Sequence, residues 1–180
     1  MDLKEKFQIL LNKFNLGKFD EVISESTLMI KKYPNQEVFV NLLSLSYQAK
    51  GQFKNSIIIL EEALKRGKKN FNFWNNLGLS YLKIKNFNKA SRALLEAYKL
   101  NPKFINTLNN LGSLYLELNN FKDAEFYFRE ALKEKEDVIE TNYNLATLLQ
   151  SIGKVEEAKK FYIKTLELNS DFTRADFGLA

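Results

Sequence analysis

The chain has 180 residues, 45 % of them hydrophobic and 27 % charged, with a formal net charge of +5 and neither cysteine nor histidine. Such a composition fits one sizeable core or a short repeat array in water. Lacking cysteine, it has no disulfide framework, thiolate nucleophile or zinc–thiolate site, and lacking histidine it misses the commonest general base and metal ligand, so no enzyme, metal or cofactor is expected.

No apolar run approaches the 18 or so residues of a membrane-spanning helix. The opening "MDLKEKFQILLNKF" mixes both charges into an apolar period and lacks a secretory core, so a cytoplasmic location is expected, with no membrane partner. The charge is uneven: residues 1–104 carry +9 and residues 105–180 carry −4. A nucleic-acid binder would carry a continuous basic stripe, so no nucleic-acid partner is expected.

Taken in chain order, the same element recurs five times. The first copy, 3–36, is the weakest, keeping Ile9, Gly17, Phe19, Val22, Met29 and Pro34 but placing Lys6, Leu10, Lys13 and Ser26 at otherwise regular positions. The second, 37–70, carries Leu43, Ser44, Tyr47, Ser56, Leu60 and Ala63. The third, 71–104, reads Trp74-x-x-Leu77-Gly78-x-x-Tyr81, then Ala90, Leu94, Ala97 and Pro102. The fourth, 105–138, repeats this as Leu108-x-x-Leu111-Gly112-x-x-Tyr115, then Ala124, Phe128 and Ala131, each 34 residues on. The fifth, 139–172, keeps Leu145, Ala146, Leu149, Ala158 and Tyr162. Residues 173–180 align with the start of a sixth copy, Leu179-Ala180 falling on its Leu–Gly step, so that they form a partial or capping helix. Because terminal repeats need a polar outer face, this abrupt stop reads as a fragment of a longer protein.

Breakers divide each copy into two helices. Gly17, Gly51, Asn86, Asn119-Asn120 and Gly153 mark the internal turns, whereas Tyr33-Pro34-Asn35, Gly67, Asn101-Pro102 and Asn169-Ser170 separate the copies. Ten full helices are expected. Small residues at Gly78, Gly112, Ala146, Ala90, Ala124 and Ala158 allow close helix approach, while Trp74, Tyr81, Tyr115, Phe128 and Tyr162 fill the layers.

This pattern resembles the tetratricopeptide repeat family, whose 34-residue helix–turn–helix signature has the same order of large, Leu–Gly, Tyr, Ala, Phe and Pro positions. The resemblance implies an all-α fold, a right-handed superhelical solenoid of antiparallel helix pairs, and a single array over residues 1–180. It also implies a concave face lined by the second, fifth, sixth and ninth positions of each repeat's first helix. On this chain those positions are Asn72, Asn75, Asn76 and Leu79 in the third repeat, and Asn106, Asn109, Asn110 and Ser113 in the fourth. The fifth offers Glu140, Tyr143, Asn144 and Thr147, the second Val38, Asn41, Leu42 and Leu45, and the first Lys4, Phe7, Gln8 and Leu11.

Asparagine is concentrated there. Twenty asparagines in 180 residues would place fewer than two among the fifteen second, fifth and sixth positions, yet eight occur: Asn41, Asn72, Asn75, Asn76, Asn106, Asn109, Asn110 and Asn144. Three of them in the first turns of one helix cost it about 1–2 kcal/mol of intrinsic propensity, so something other than helix formation keeps them. The side-chain amide offers a peptide group's donors and acceptor, so a row of them suits the main chain of an extended peptide. The sixth-position series Asn76, Asn110 and Asn144, with its repeated "NNLG", resembles the asparagine-ladder arrays of O-linked N-acetylglucosamine transferases and related bacterial repeat–transferase proteins, where the ladder grips a substrate backbone. On that reading, alanine at these three positions leaves stability equal or higher and weakens partner binding.

The carboxylate clamp of co-chaperone arrays is absent: Asn41, Asn106 and Asn110, and one repeat on Asn75, Glu140 and Asn144, stand where basic residues are required, and the central asparagine is all that matches. The N-terminal groove differs in kind: Phe7, Leu11, Val38, Leu42 and Leu45 are positioned to form an apolar pocket or to pack against neighbouring helices. The runs Lys65-Arg66-Gly67-Lys68-Lys69 and Glu134-Lys135-Glu136-Asp137 read as solvated helix ends. The expected function is a non-catalytic protein–protein interaction scaffold that holds an extended peptide or partner segment in its groove, as the recruiting N-terminal part of a larger protein. The alternative is self-association through the uncovered C-terminal end, at Phe172 and Phe177.

Overall fold

A computed structural model describes residues 2–67 and 70–175, so Lys68, Lys69, Phe177 and the Leu179-Ala180 step lie outside the described residues. The described residues form ten α-helices and no strand. They are α1 (Leu3–Asn15), α2 (Phe19–Lys32), α3 (Glu37–Ala49), α4 (Phe53–Lys65), α5 (Phe71–Lys83), α6 (Phe87–Leu100), α7 (Ile105–Glu117), α8 (Phe121–Glu134), α9 (Ile139–Ser151) and α10 (Val155–Leu168). The odd-numbered helices start at residues 3, 37, 71, 105 and 139, the first residue of each sequence repeat. Beyond α10, residues 173–175 are helical and Ala175 is buried.

One turn recurs within every pair, and hydrogen bonding shows why the period is so regular. Residues 17, 51, 85, 119 and 153 all adopt a left-handed backbone, with φ of 73°, 69°, 59°, 56° and 79°. In the first, the Gly17 N–H donates to the Phe14 carbonyl and the Lys18 N–H to the Lys13 carbonyl, at 2.9 and 3.0 Å. This paired pattern closes a helix by satisfying its orphan carbonyls, and it recurs as Lys85→Leu82 with Asn86→Tyr81 and as Asn119→Leu116 with Asn120→Tyr115. Three of the five left-handed positions are glycine, which adopts them without a Cβ penalty. In the third repeat the left-handed residue is Lys85, one place before the Asn86 that marks the turn in the sequence.

The chain divides into two compact units, residues 1–93 and 94–180. In the first, α1 packs on α2 and α3, α3 on α4 and α5, and α2 on α3. Its N-terminal core gathers Leu10, Val22, Phe39 and Leu42, with Phe7, Leu11 and Met29 packed against it. In the second, α7 packs on α8 and α9, α8 on α9, and α9 on α10. Its core gathers Ala124, Phe128, Leu145, Ala146, Leu148, Leu149, Ala158, Tyr162 and Ala175. Phe172 packs on this core, its ring 5.1 Å from that of Tyr143.

Small residues permit the close approach. A Cβ built on Gly112 in α7 would lie 2.5 Å from two ring carbons of Phe128 in α8, and Phe128 is fully buried. The glycine costs α7 about 1 kcal/mol of helix propensity and admits an aromatic ring in exchange. Within the units, positions 44 and 60, 112 and 128, and 146 and 162 are Ser/Leu, Gly/Phe and Ala/Tyr, all buried. The first repeat reverses this size order: Leu10 stands at the small position and Ser26 at the large one, both fully buried. The bulky residue of this pair of positions thus sits on α1, where Leu10 joins Val22, Phe39 and Leu42 in the core.

Candidate functional site

The groove side of the first unit holds a solvent-open cavity of about 250 Å³. Phe7 and Leu11 of α1, one turn apart, form one wall. Val38, Asn41, Leu42 and Leu45 of α3 form the other, at a spacing that puts all four on one helical face. Glu37, Asn70 and Asn72 complete the lining, where α3 and α5 begin. All five apolar groove residues expected from the sequence thus meet at one cavity, together with Asn41 and Asn72.

Glu37 and Asn70 were not legible as lining residues. Asn70 caps α5, its Oδ1 accepting from the Asn72 N–H at 2.8 Å, and its Nδ2 donates to Glu37 Oε2 at 2.8 Å. The sequence signal was faint: an asparagine just before a helix marks a cap, but only the fold brings that cap beside the start of the preceding first helix.

Side-chain amides run in series behind the cavity. Asn75 Nδ2 donates to Asn76 Oδ1 at 3.0 Å, and Asn76 Nδ2 donates to Asn41 Oδ1 at 2.8 Å. Asn75 and Asn76 are 3 % and 6 % exposed, so they sit beneath the groove surface with their amides engaged by protein. Gln48 Nε2 donates to the Asn76 carbonyl at 2.7 Å, tying α3 to α5 at the same level. Burial of these polar groups is tolerable because they are hydrogen-bonded. The asparagines that burden α5 as an isolated helix are therefore part of what joins it to α3.

Asn41 closes the series. Its oxygen is taken by Asn76, while its Nδ2 makes no hydrogen bond among the described residues and is not sealed from solvent. An amide with its acceptor fixed inward presents its N–H groups on the other side, so the cavity wall offers a donor.

The second unit has a more polar groove. Asn144 Nδ2 donates to Asn109 Oδ1 at 3.3 Å, joining a fifth-position residue to the sixth-position residue of the next repeat as Asn41 and Asn76 are joined. Both of these bonds between repeats link a fifth to a sixth position. Asn109, Asn110 and Asn144 are half-buried and Asn106 is exposed. Tyr143 leans on Phe172 and Tyr162, and Thr147 donates to the Tyr143 carbonyl at 3.0 Å.

Comparison with known proteins agrees with the repeat period. Tetratricopeptide repeat models match residues 39–69, 71–104, 105–137 and 139–172. A search of curated protein sequences finds no match. Among solved structures, a thermophilic TPR protein of Thermus thermophilus is 19 % identical with a TM-score of 0.85, over 98 % of each chain. PilF of Pseudomonas aeruginosa is 20 % identical with a TM-score of 0.82, over 96 % of this chain and 78 % of that one. YrrB, described as a TPR protein with an unusual peptide-binding site, is 15 % identical with a TM-score of 0.69, over 95 % and 88 %. At these identities the likeness is one of fold. Among the described residues no helix is long and apolar enough to cross a membrane. The period of 34, the recurrent left-handed turn and four repeats matched by family models lead to one conclusion: the chain belongs to the tetratricopeptide repeat family.

Proposed function

We propose that the chain is a non-catalytic interaction scaffold that binds an extended peptide or partner segment along the groove side of its odd-numbered helices, with the cavity between α1 and α3 as its principal contact. Repeats of this family generally mediate protein–protein interaction. The observation that carries the finer reading is the Asn41 amide, its oxygen held by Asn76, set among Phe7, Leu11, Val38, Leu42 and Leu45 in the cavity lining. An apolar concavity with a few convergent polar groups is the usual form of a recognition site. Asn72, Asn106, Asn109, Asn110 and Asn144 extend the contact to the peptide main chain, and Asn75 and Asn76 support it from behind. A cytoplasmic location is part of this reading.

The test is to pan a random linear peptide library displayed on phage against the immobilised 180-residue chain and to measure enriched peptides by calorimetry. Saturable binding that is weakened by Asn72→Ala with Asn109→Ala supports the groove. A chain that enriches no peptide over a denatured control refutes it.

A further inference from the structure

Resting on that peptide reading, we infer that the cavity takes one bulky, uncharged apolar side chain of an extended segment, while Asn41 Nδ2 donates to a main-chain carbonyl of the same segment. Three observations define the occupant. A volume of about 250 Å³ walled by Phe7, Leu11, Val38, Leu42 and Leu45 has room for an apolar side chain as large as leucine, methionine or phenylalanine. Among the described residues the lining contains one carboxylate, Glu37, and no cation, so an acidic side chain or a terminal carboxylate finds no partner there. The amide series from Asn75 through Asn76 fixes the Asn41 oxygen inward, so the wall selects a hydrogen-bond acceptor. A backbone carbonyl beside an apolar side chain supplies both requirements at once. Hydrogen bonds in series also polarise one another, so the last amide is a better donor than an isolated asparagine.

This predicts how peptides from the panning divide. Enriched sequences should share one bulky apolar residue at a fixed position, and replacing it by aspartate should weaken binding at least tenfold. Blocking the peptide's C-terminal carboxylate as an amide should change affinity less than twofold. Asn41→Asp keeps the acceptor for Asn76 and removes the outward donor, and it should weaken binding at least tenfold with the melting curve shifted only slightly. Should that variant fail to fold, the unmodified protein gives the same information: the Asn41 side-chain NH₂ resonances should move on titration with peptide. Enriched peptides without a shared apolar residue, dependence on a free carboxylate, or unmoved Asn41 resonances would each overturn the inference while leaving groove binding intact. Failure to enrich any peptide would overturn the peptide reading and this inference with it.

Discussion

The first and fourth repeats build the same helix pair from opposite materials. In the fourth, a glycine in α7 yields to a phenylalanine in α8; in the first, a leucine in α1 and a serine in α2 hold the equivalent positions, both fully buried. Packing responds to the combined volume at a site rather than to which helix supplies it, so either order is compatible with a filled contact. A repeat signature records the commoner arrangement, so the first repeat looks degenerate by signature while remaining sound by volume. At one of these positions, Ser26 Oγ is buried without a hydrogen-bond partner among the described residues.

The most damaging way to break this comparison is Phe128→Ala, which removes the bulky partner and leaves Gly112 facing a void. A loss of about 3–5 kcal/mol is expected by chemical denaturation. Combining Phe128→Ser with Gly112→Leu imports the first repeat's order into the fourth. If volume is what matters, the double variant is more stable than the sum of the two single changes by about 1 kcal/mol or more. Strict additivity would show that the reversal at Leu10 and Ser26 is coincidental. Gly112→Ala alone is expected to cost about 1–2 kcal/mol, since the clash with a buried ring outweighs the helix-propensity gain.

The amide pairs allow a second, smaller contrast between the units. Asn76→Ala deprives the buried Asn75 of an acceptor and Asn41 of its donor, so a loss of about 1–2 kcal/mol is expected. Sequence alone expects this change to be neutral or stabilising; burial reverses the sign. Asn144→Ala removes one longer bond between half-buried residues, and about 0.5 kcal/mol is expected. Equal losses in the two variants would show that burial does not separate the pairs.

Turns provide a comparison of similar size and opposite sign. Gly51 and Lys85 hold the same left-handed position in successive repeats. Lys85→Gly relieves a Cβ penalty of about 1–2 kcal/mol but adds unfolded-state freedom worth about 0.5–1 kcal/mol, so a net gain of about 0.5 kcal/mol is expected as a higher melting temperature. The reverse change, Gly51→Lys, should lower it by a similar amount.

The smallest effect is electrostatic and confined to the first repeat. Lys13 and Lys6 donate to Glu25 at 2.6 and 2.5 Å and hold its carboxyl below the usual range. A carboxyl with a lowered folded-state pKa adds stability above the unfolded value of 4.5, and that stability is lost as pH falls through the folded value. Glu25→Gln should therefore lower the melting temperature slightly at about pH 7 and leave it nearly unchanged at about pH 3. The pair is partly exposed, so salt should reduce the difference.

The sequence by itself determined the period, the helix pairs and the family, because a 34-residue recurrence of small and large residues has few ways to bury its apolar faces. It also placed Phe7, Leu11, Val38, Leu42 and Leu45 on one side, since helical spacing alone fixes which residues share a face. Only the tertiary structure decided what the asparagines do. Spacing puts Asn41 and Asn76 on successive first helices, but whether an amide faces water or a neighbouring amide depends on how deeply the helices settle together. That depth depends on packing throughout the layer, including fully buried residues such as Ser44 and Leu60 that are not in the cavity lining. Asn41 was one asparagine among eight until the fold gave its oxygen to Asn76 and set the residue in the cavity lining.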